Sequence, residues 1–245
     1  MSVSVIITAG GSGLRLGGRL PKQFQFLGGK PILARTINAF NRSEAVSDII
    51  VAAPADYVTH ANEIVDVYDF HKVRAVVAGG ENRAASIYAA LKMLPRDKSV
   101  DTYMAFKTVP VVLVHDGVRP FVSEMLIRTV AEAARIHGAA IAGTPLTDTI
   151  KEVNEGSKVV STPDRKRFWR VQTPQAFTYD LIMKAYAQGE KDGVLPHATD
   201  DSMLVERLGL QVTMVEGHPG NIKITTPEDM AFAEMLLRGN DNFRA

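Results

Sequence analysis

Short runs of β-branched and aliphatic residues alternate along this chain with longer stretches whose apolar positions recur every three or four residues. Val3 to Ile7, Ile49 to Ala53, Val73 to Val77, Val111 to Val114 and Ala139 to Ala142 are dense enough in apolar side chains to predict buried strands. Between them, Ile32, Leu33, Ile37 and Phe40 predict a helix over 31–40, and the pattern of 57–68 predicts another. Ile87, Leu91 and Leu94 predict a helix over 83–94, and Ser123 caps one carrying Leu126, Val130 and Ile136. Further helices are expected through Leu181, Ile182 and Tyr186, and behind Thr199-Asp200-Asp201, where the acids are read as caps. Strands over 211–215 and 221–225 and a last helix opened by Thr226-Pro227-Glu228-Asp229 complete the pattern. The mixed stretch 95–110 is read as a connection. Strands alternating with helices define an α/β fold with a mostly parallel sheet flanked by helices, in which ligands bind beyond the carboxyl ends of the strands.

One segment departs from this alternation. From Pro145 to about Phe168 the chain is polar and turn-rich, with alternating Lys158-Val159-Val160-Ser161 and no apolar face of its own. Such a hairpin packs against something else, and a second copy of the chain is the simplest candidate.

The first strand opens directly into Thr8-Ala9-Gly10-Gly11-Ser12-Gly13-Leu14-Arg15. Glycines there leave backbone N–H groups bare, and Arg15 and Lys22 add the positive charge that a triphosphate requires. The loop is not a P-loop, because no Gly-Lys-Ser/Thr ending exists in any register. It is not a dinucleotide fingerprint either, since Leu16 stands where the third glycine belongs and the acid that would bind ribose is missing. The first acidic residue is Glu44, preceded by Arg15, Arg19, Lys22, Lys30, Arg35 and Arg42. Positive charge is therefore local, while the 245-residue chain carries a formal net charge of only +1. That balance argues against a nucleic-acid surface and for a small polyanion.

At 46% hydrophobic residues the chain has enough apolar content for one large domain, taken as 1–245. No stretch is long and apolar enough for a membrane span, and no export signal is evident at the N-terminus. The absence of cysteine excludes thiol chemistry and disulfides. A soluble cytoplasmic protein is the expectation.

Three later loops carry candidate chemistry. Gly79-Gly80-Glu81-Asn82-Arg83 leads into a helix with Ser86 in its first turn, where a hydroxyl and free N–H groups suit a pyrimidine edge or, equally, a helix cap. Val111 to Val114 ends at His115-Asp116-Gly117-Val118-Arg119-Pro120, placing Asp116 where the magnesium of a nucleotide would sit. The alternative for Asp116 is a salt bridge to Arg119, and His115 is read as a strand-end hydrogen bonder rather than a base. Lys223, out of step with Ile222 and Ile224, faces the opposite side from them and meets phosphate if that side is the cleft.

Taken in order, Gly11-x-Gly13-x-Arg15, Pro21-Lys22-Gln23, Gly79-Gly80-x-x-Arg83-x-x-Ser86, His115-Asp116-x-x-Arg119-Pro120, Asp148-Thr149-x-Lys151, Asp164-Arg165, Thr173-Pro174-Gln175, Thr199-Asp200 and Asn221-Ile222-Lys223 resemble the 2-C-methyl-D-erythritol 4-phosphate cytidylyltransferases of the non-mevalonate isoprenoid pathway. The resemblance spans nearly the whole chain. It implies a Rossmann-like domain with a protruding β-arm at about 145–168 that serves dimerisation and completes the neighbour's site. It also implies transfer of CMP from CTP to the polyol phosphate, with Mg2+ as cofactor. Arg15 and Lys22 would act on the triphosphate, and Arg165 and Lys223 would hold the acceptor phosphate in line. Ala9, Gly10, Gly11, Gly13, Gly79, Gly80, Glu81 and Ser86 would frame the nucleotide. Asp116, Arg119, Thr149 and Thr173 would line the acceptor site, with Asp116 also the metal ligand.

Gly117-Val118 departs from the small pair common in that family, and valine there resembles the related ribitol-5-phosphate cytidylyltransferases. A non-catalytic nucleotide-binding module is the alternative of another class, disfavoured by cations converging from such distant segments. Because a phosphate monoester with a second pKa of about 6 is already ionised at neutral pH, the expected chemistry requires no general base.

Overall fold

In a computed structural model of the chain, residues 3–10, 20–94 and 110–239 are described. Gly11, Gly13 and Arg15, and the connection expected over 95–110 except for Pro110, lie outside them. In chain order the elements are β1 (Val3–Thr8), β2 (Phe26–Leu27), β3 (Lys30–Pro31), α1 (Ile32–Asn41), β4 (Asp48–Ala53), α2 (Val58–Val67), β5 (Val73–Ala78) and α3 (Arg83–Met93). They continue with β6 (Val111–Asp116), α4 (Glu124–His137), β7 (Ala139–Pro145), β8 (Glu152–Val153), β9 (Val159–Ser161), β10 (Trp169–Thr178), α5 (Tyr179–Lys191), α6 (Ser202–Glu206), β11 (Thr213–Glu216) and α7 (Pro227–Gly239).

Seven strands form one sheet in the order β11-β7-β10-β6-β1-β4-β5. All neighbours are parallel except β10, which runs antiparallel between β6 and β7. The period of two along each strand divides its side chains between two apolar layers. Val3, Val5 and Ile7 of β1 join Ile49 and Val51 of β4 and Leu113 of β6 on the face covered by α1, α2 and α4. Ile6, Ile50, Val112 and Val114 point the other way, beneath α3, α5 and α6. Burial on both faces explains why these strands read as nearly unbroken apolar runs.

Helix ends follow their capping residues. Ser123 accepts a hydrogen bond from Leu126 N at 3.2 Å, and Gly138 at φ +87° closes α4. Thr226 and Asp229 form a reciprocal capping box around Pro227: Asp229 Oδ2 accepts from Thr226 N at 2.9 Å, and Thr226 Oγ1 from Asp229 N at 3.3 Å.

Two expectations are corrected. Residues 221–225 form no strand; the segment is held from the side, with Ile224 N donating to Val118 O at 2.9 Å and Ile224 fully buried in a third apolar cluster beside Leu27, Ile32 and Phe121. Its alternation reflects one buried side rather than a sheet ladder. In turn, β10 is absent from the sequence reading because its residues 172–175 are polar and contain a proline.

The hairpin expected within 145–168 is present as β8 and β9, a separate two-stranded ladder, with Val153, Val159 and Val160 each more than half exposed. Among the described residues no helix is long and apolar enough to cross a membrane.

Candidate active site

The site is built at the carboxyl ends of β1 and β6. Gly117 turns the chain immediately after β6, its N–H donating to Thr8 O at 2.8 Å. A Cβ there would stand 2.9 Å from that oxygen, so only glycine allows the two strand ends to approach this closely. Ala9 N donates in turn to Ala52 O at 2.7 Å, aligning the end of β1 with that of β4.

Asp116 sits at this junction, buried, among three cations. Arg119 Nε lies 3.0 Å and Lys223 Nζ 3.1 Å from Oδ2, while Arg83 Nε lies 3.8 Å from Oδ1. Burial opposes the charge, but Lys223, Arg119 and Arg83 overcome it and hold the carboxyl far below the usual carboxylate range. Asp116 is therefore ionised at any physiological pH. The salt bridge to Arg119 considered from the sequence exists and is one arm of a larger cluster.

His115 is fully buried, edge-on to Phe40 at 4.8 Å between ring centroids. Its Nε2 lies 3.0 Å from Arg119 O and its Nδ1 3.0 Å from Thr173 Oγ1, while Thr173 Oγ1 accepts from Asp116 N at 3.1 Å. With the ring neutral, only one arrangement of protons satisfies all three bonds. Nε2–H donates to the carbonyl, and Thr173 O–H donates to an unprotonated Nδ1. Desolvation pushes the imidazole down to about 4, consistent with that neutral tautomer. His115 is thus a strand-end hydrogen bonder, locked in place and unsuited to shuttle protons.

Arg119 Nη1 donates to Asn221 O at 2.9 Å, and Asn221 Nδ2 donates to Thr173 O at 2.8 Å. Arg119 is buried, and these bonds give it the role of a brace that places the segment bearing Lys223.

On the far side of β1, Ser86 Oγ donates to Asn82 O at 2.9 Å and accepts from Gly80 N at 3.0 Å. Asn82 is the cap of α3, accepting from Ala85 N at 2.9 Å, so the capping role considered for Ser86 belongs to Asn82. Ser86 instead staples the Gly79-Gly80 turn to the helix. Cβ atoms on Gly79 and Gly80 would meet Ser86 Oγ at 2.7 Å and Ala85 Cβ at 2.6 Å. Glu81 is exposed at the tip of the turn.

Lys22 starts a short 3-10 turn, Lys22–Phe24, whose buried Gln23 donates from Nε2 to Ala9 O at 2.5 Å. That bond ties the Lys22 turn to the end of β1. Gly10 is exposed, with open space where a Cβ would stand.

The remaining candidates stand apart. Arg165 Nη1 donates to Thr147 O at 2.6 Å, and Thr149 is exposed just before the β8–β9 hairpin. Among the described residues neither is joined to the Asp116 cluster by a hydrogen bond or ion pair.

Asp200 and Asp201 have separate duties. Asp200 Oδ1 accepts from Met203 N at 3.0 Å, as a cap does. Asp201 makes no cap bond; it is fully buried and paired with Arg83 at 2.7 Å. The capping role expected for Asp201 is thus corrected, and its pairing with Arg83 is what sequence reasoning missed. Arg83 was visible within its motif, whereas its partner lies 118 residues away and no local spacing points to it.

Val118 packs in the third apolar cluster with Leu27, Ile32, Phe121 and Ile224. Its side chain is part of that core.

A doubly covered, mostly parallel sheet whose strand ends gather a glycine turn and a carboxylate among cations belongs to the α/β nucleotidyltransferase class. Within that class, the family model described as IspD: 2-C-methyl-D-erythritol 4-phosphate cytidylyltransferase matches residues 3–239, and the chain belongs to this family. A relative from Geobacter metallireducens bearing that name is 42% identical over 239 residues, 97% of this chain and 98% of its own. The crystal structure of the 4-diphosphocytidyl-2C-methyl-D-erythritol synthase from Anaerococcus prevotii superposes with a TM-score of 0.80 at 34% identity, covering 96% of each chain. The Francisella tularensis 2-C-methyl-D-erythritol 4-phosphate cytidylyltransferase gives 0.78 at 31% identity, covering 96% of this chain and 99% of that one.

Proposed function

We propose that the chain, acting as one nucleotidyltransferase domain, transfers CMP from CTP to 2-C-methyl-D-erythritol 4-phosphate, giving 4-diphosphocytidyl-2-C-methyl-D-erythritol and pyrophosphate. The observation that carries the reading is Asp116 with Arg119, Lys223 and Arg83 around it at the carboxyl end of β6, in a chain of this family. An oxygen of the acceptor phosphate attacks the α-phosphorus of CTP in line, and the bond to the pyrophosphate oxygen breaks. The nucleophile is already an anion, so the obstacle is repulsion and growing charge on the α-phosphoryl oxygens. Positioned cations answer both.

In this reading Lys22 and Arg15 engage the triphosphate. Lys223 leaves Asp116 for the acceptor phosphate, with Arg119 and Thr173 holding the surrounding segments. The Gly79-Gly80 turn with Glu81 and Ser86, together with Ala9 and Gly10, frames cytosine. Thr149 and Arg165 reach the acceptor from a neighbouring copy, which makes a homodimer through the arm the working unit.

Among the described residues no cluster of three or more His, Asp or Glu forms a metal cage. A single ionised, hard-oxygen carboxylate still fits magnesium, which is commonly held by one or two carboxylates together with substrate phosphates and water. Asp116 would be its protein ligand, and the ion would neutralise phosphate charge.

Pyrophosphate release with magnesium, measured across four nucleoside triphosphates against methylerythritol 4-phosphate and ribitol 5-phosphate, tests the assignment. Turnover with CTP and methylerythritol phosphate alone is expected. Preference for ribitol phosphate would move the acceptor, and silence in every combination from folded protein that binds CTP would favour a non-catalytic module.

A further inference from the structure

The pairing of Arg83 with Asp201 stands outside the roles given so far. Asp201 is completely buried, and a buried carboxylate is costly unless each of its oxygens is satisfied. Both are: Oδ2 takes Arg83 Nη2 at 2.7 Å, and Oδ1 accepts the hydroxyl of buried Tyr186. The backbone is gripped as well, since Gln175 Oε1 accepts from Asp201 N and Ser202 N, each at 3.1 Å. With two oxygens and the main chain held, the carboxylate has one orientation. Arg83 follows it, and Nε, on the same edge of the guanidinium as Nη2, then lies 3.8 Å from Asp116 Oδ1. That is the carboxylate edge opposite Oδ2, which Arg119 and Lys223 occupy.

The arrangement is hard to explain as stabilisation alone. A buried ion pair adds little over an apolar pair of the same volume, whereas removing one member is strongly destabilising. What the pair supplies is direction, because it points a second arginine at the carboxylate from which Lys223 must depart.

We propose that Asp201 is a positioning residue for the transfer reaction: held by Tyr186 and Gln175, it keeps Arg83 against Asp116 so that the carboxylate retains its orientation while Lys223 engages the acceptor phosphate. This rests on the reaction assigned above. Asp201 touches no substrate; its influence passes through Arg83.

The test is a double-mutant cycle of Asp201→Asn and Arg83→Gln in the full chain, assayed with CTP, methylerythritol 4-phosphate and magnesium. Each single variant is expected to lower kcat tenfold or more, with KM for CTP within threefold of the parent. The double variant is expected to be no slower than Arg83→Gln, because the effect of Asp201 requires Arg83. Losses that multiply, or an Asp201→Asn enzyme within twofold of the parent kcat, would overturn the proposal. Should Asp201→Asn fail to fold with its arginine left unpaired, the double variant, which buries no lone charge, is compared with Arg83→Gln alone. Tyr186→Phe, which frees one oxygen of Asp201 with little change in shape, is expected to lower kcat threefold or more; an unchanged kcat would count against the positioning role. A parent protein without turnover would reject the assigned reaction instead, and because every criterion is a ratio to an active parent, the two failures are distinct.

Discussion

Lys223 Nζ lies 3.1 Å from Asp116 Oδ2, so the cation proposed for the acceptor phosphate is paired with a carboxylate. The contact keeps an otherwise mobile lysine in the site and gives it a partner that a dianionic phosphate can outcompete. Lys223→Ala is expected to lower kcat/KM for the acceptor on the order of a hundredfold, the usual loss for one well-placed stabilising donor. The melting temperature should fall only modestly, because buried Asp116 loses one cation but keeps Arg119 and Arg83. Steady-state kinetics and a thermal melt check both statements, and near-parental turnover would remove Lys223 from the reaction.

His115 gives a pH signature. An unfolded imidazole titrates near 6.5, whereas burial lowers the folded one to about 4. Between these values the unfolded chain binds more protons, so stability rises with pH there. The contribution is complete above about 6.5 and is lost as pH falls towards 4, on the order of 3 kcal/mol by linkage. The depressed carboxyl of Asp116 has the same sign at more acidic pH, below about 4. Urea midpoints in magnesium-free buffer at pH 7.5 and 4.5 should show the fall, and His115→Gln should flatten it. Equal slopes in the two proteins would assign the effect elsewhere.

Val118 packs as a core residue, and its side chain is expected to leave acceptor choice unchanged. Val118→Ala should cost about 1–2 kcal/mol for the buried methyl groups removed. The ratio of kcat/KM for methylerythritol phosphate to that for ribitol phosphate should stay the same. A changed ratio would return Val118 to the acceptor site.

Gly80 leaves no room for a side chain, since a Cβ would stand 2.6 Å from that of Ala85. Gly80→Ala must push the turn off α3 and break its bond to Ser86. CTP affinity, read by calorimetry, is expected to fall tenfold or more with the fold retained.

Arg165 and Thr149 lie on the arm, so a site shared between copies can be tested by mixing. Arg165→Ala and Lys22→Ala protomers, each nearly inactive, should recover part of the parental activity after subunit exchange. Proven exchange without recovery would confine each site to one chain.

What the sequence disclosed, and what it hid, follows from where side chains spend their hydrogen bonds. The strands β1, β4 and β6 were legible because burial on both faces demands apolar residues throughout. The strand β10 was not: Gln172, Thr173 and Gln175 are buried but turn their polarity inward, to His218 O, His115 and the backbone of Asp201. Pro174 also argues against a central strand, and it falls where the register with β7 breaks between Val171 and Gln175. The extended run 221–225 misled in the opposite sense, because its alternating isoleucines bury one side without pairing. Among candidate residues, those clustered in short motifs stood out in the sequence, and Asp116 stood out by its position at a strand end. Asp201 was hidden because a buried ion pair formed across the fold leaves no periodicity in either segment.

The strand β10 begins at Trp169, directly beyond the arm, and carries Gln175 at its seventh position. At roughly 3.3 Å per residue, these points are about 20 Å apart on one continuous backbone. Thr173 grips the loop of Asp116 and Gln175 grips Asp201, while the strand is clamped between β6 and β7. One strand therefore carries, within seven residues of where the hairpin segment ends, the side chains that fix both buried carboxylates of the site.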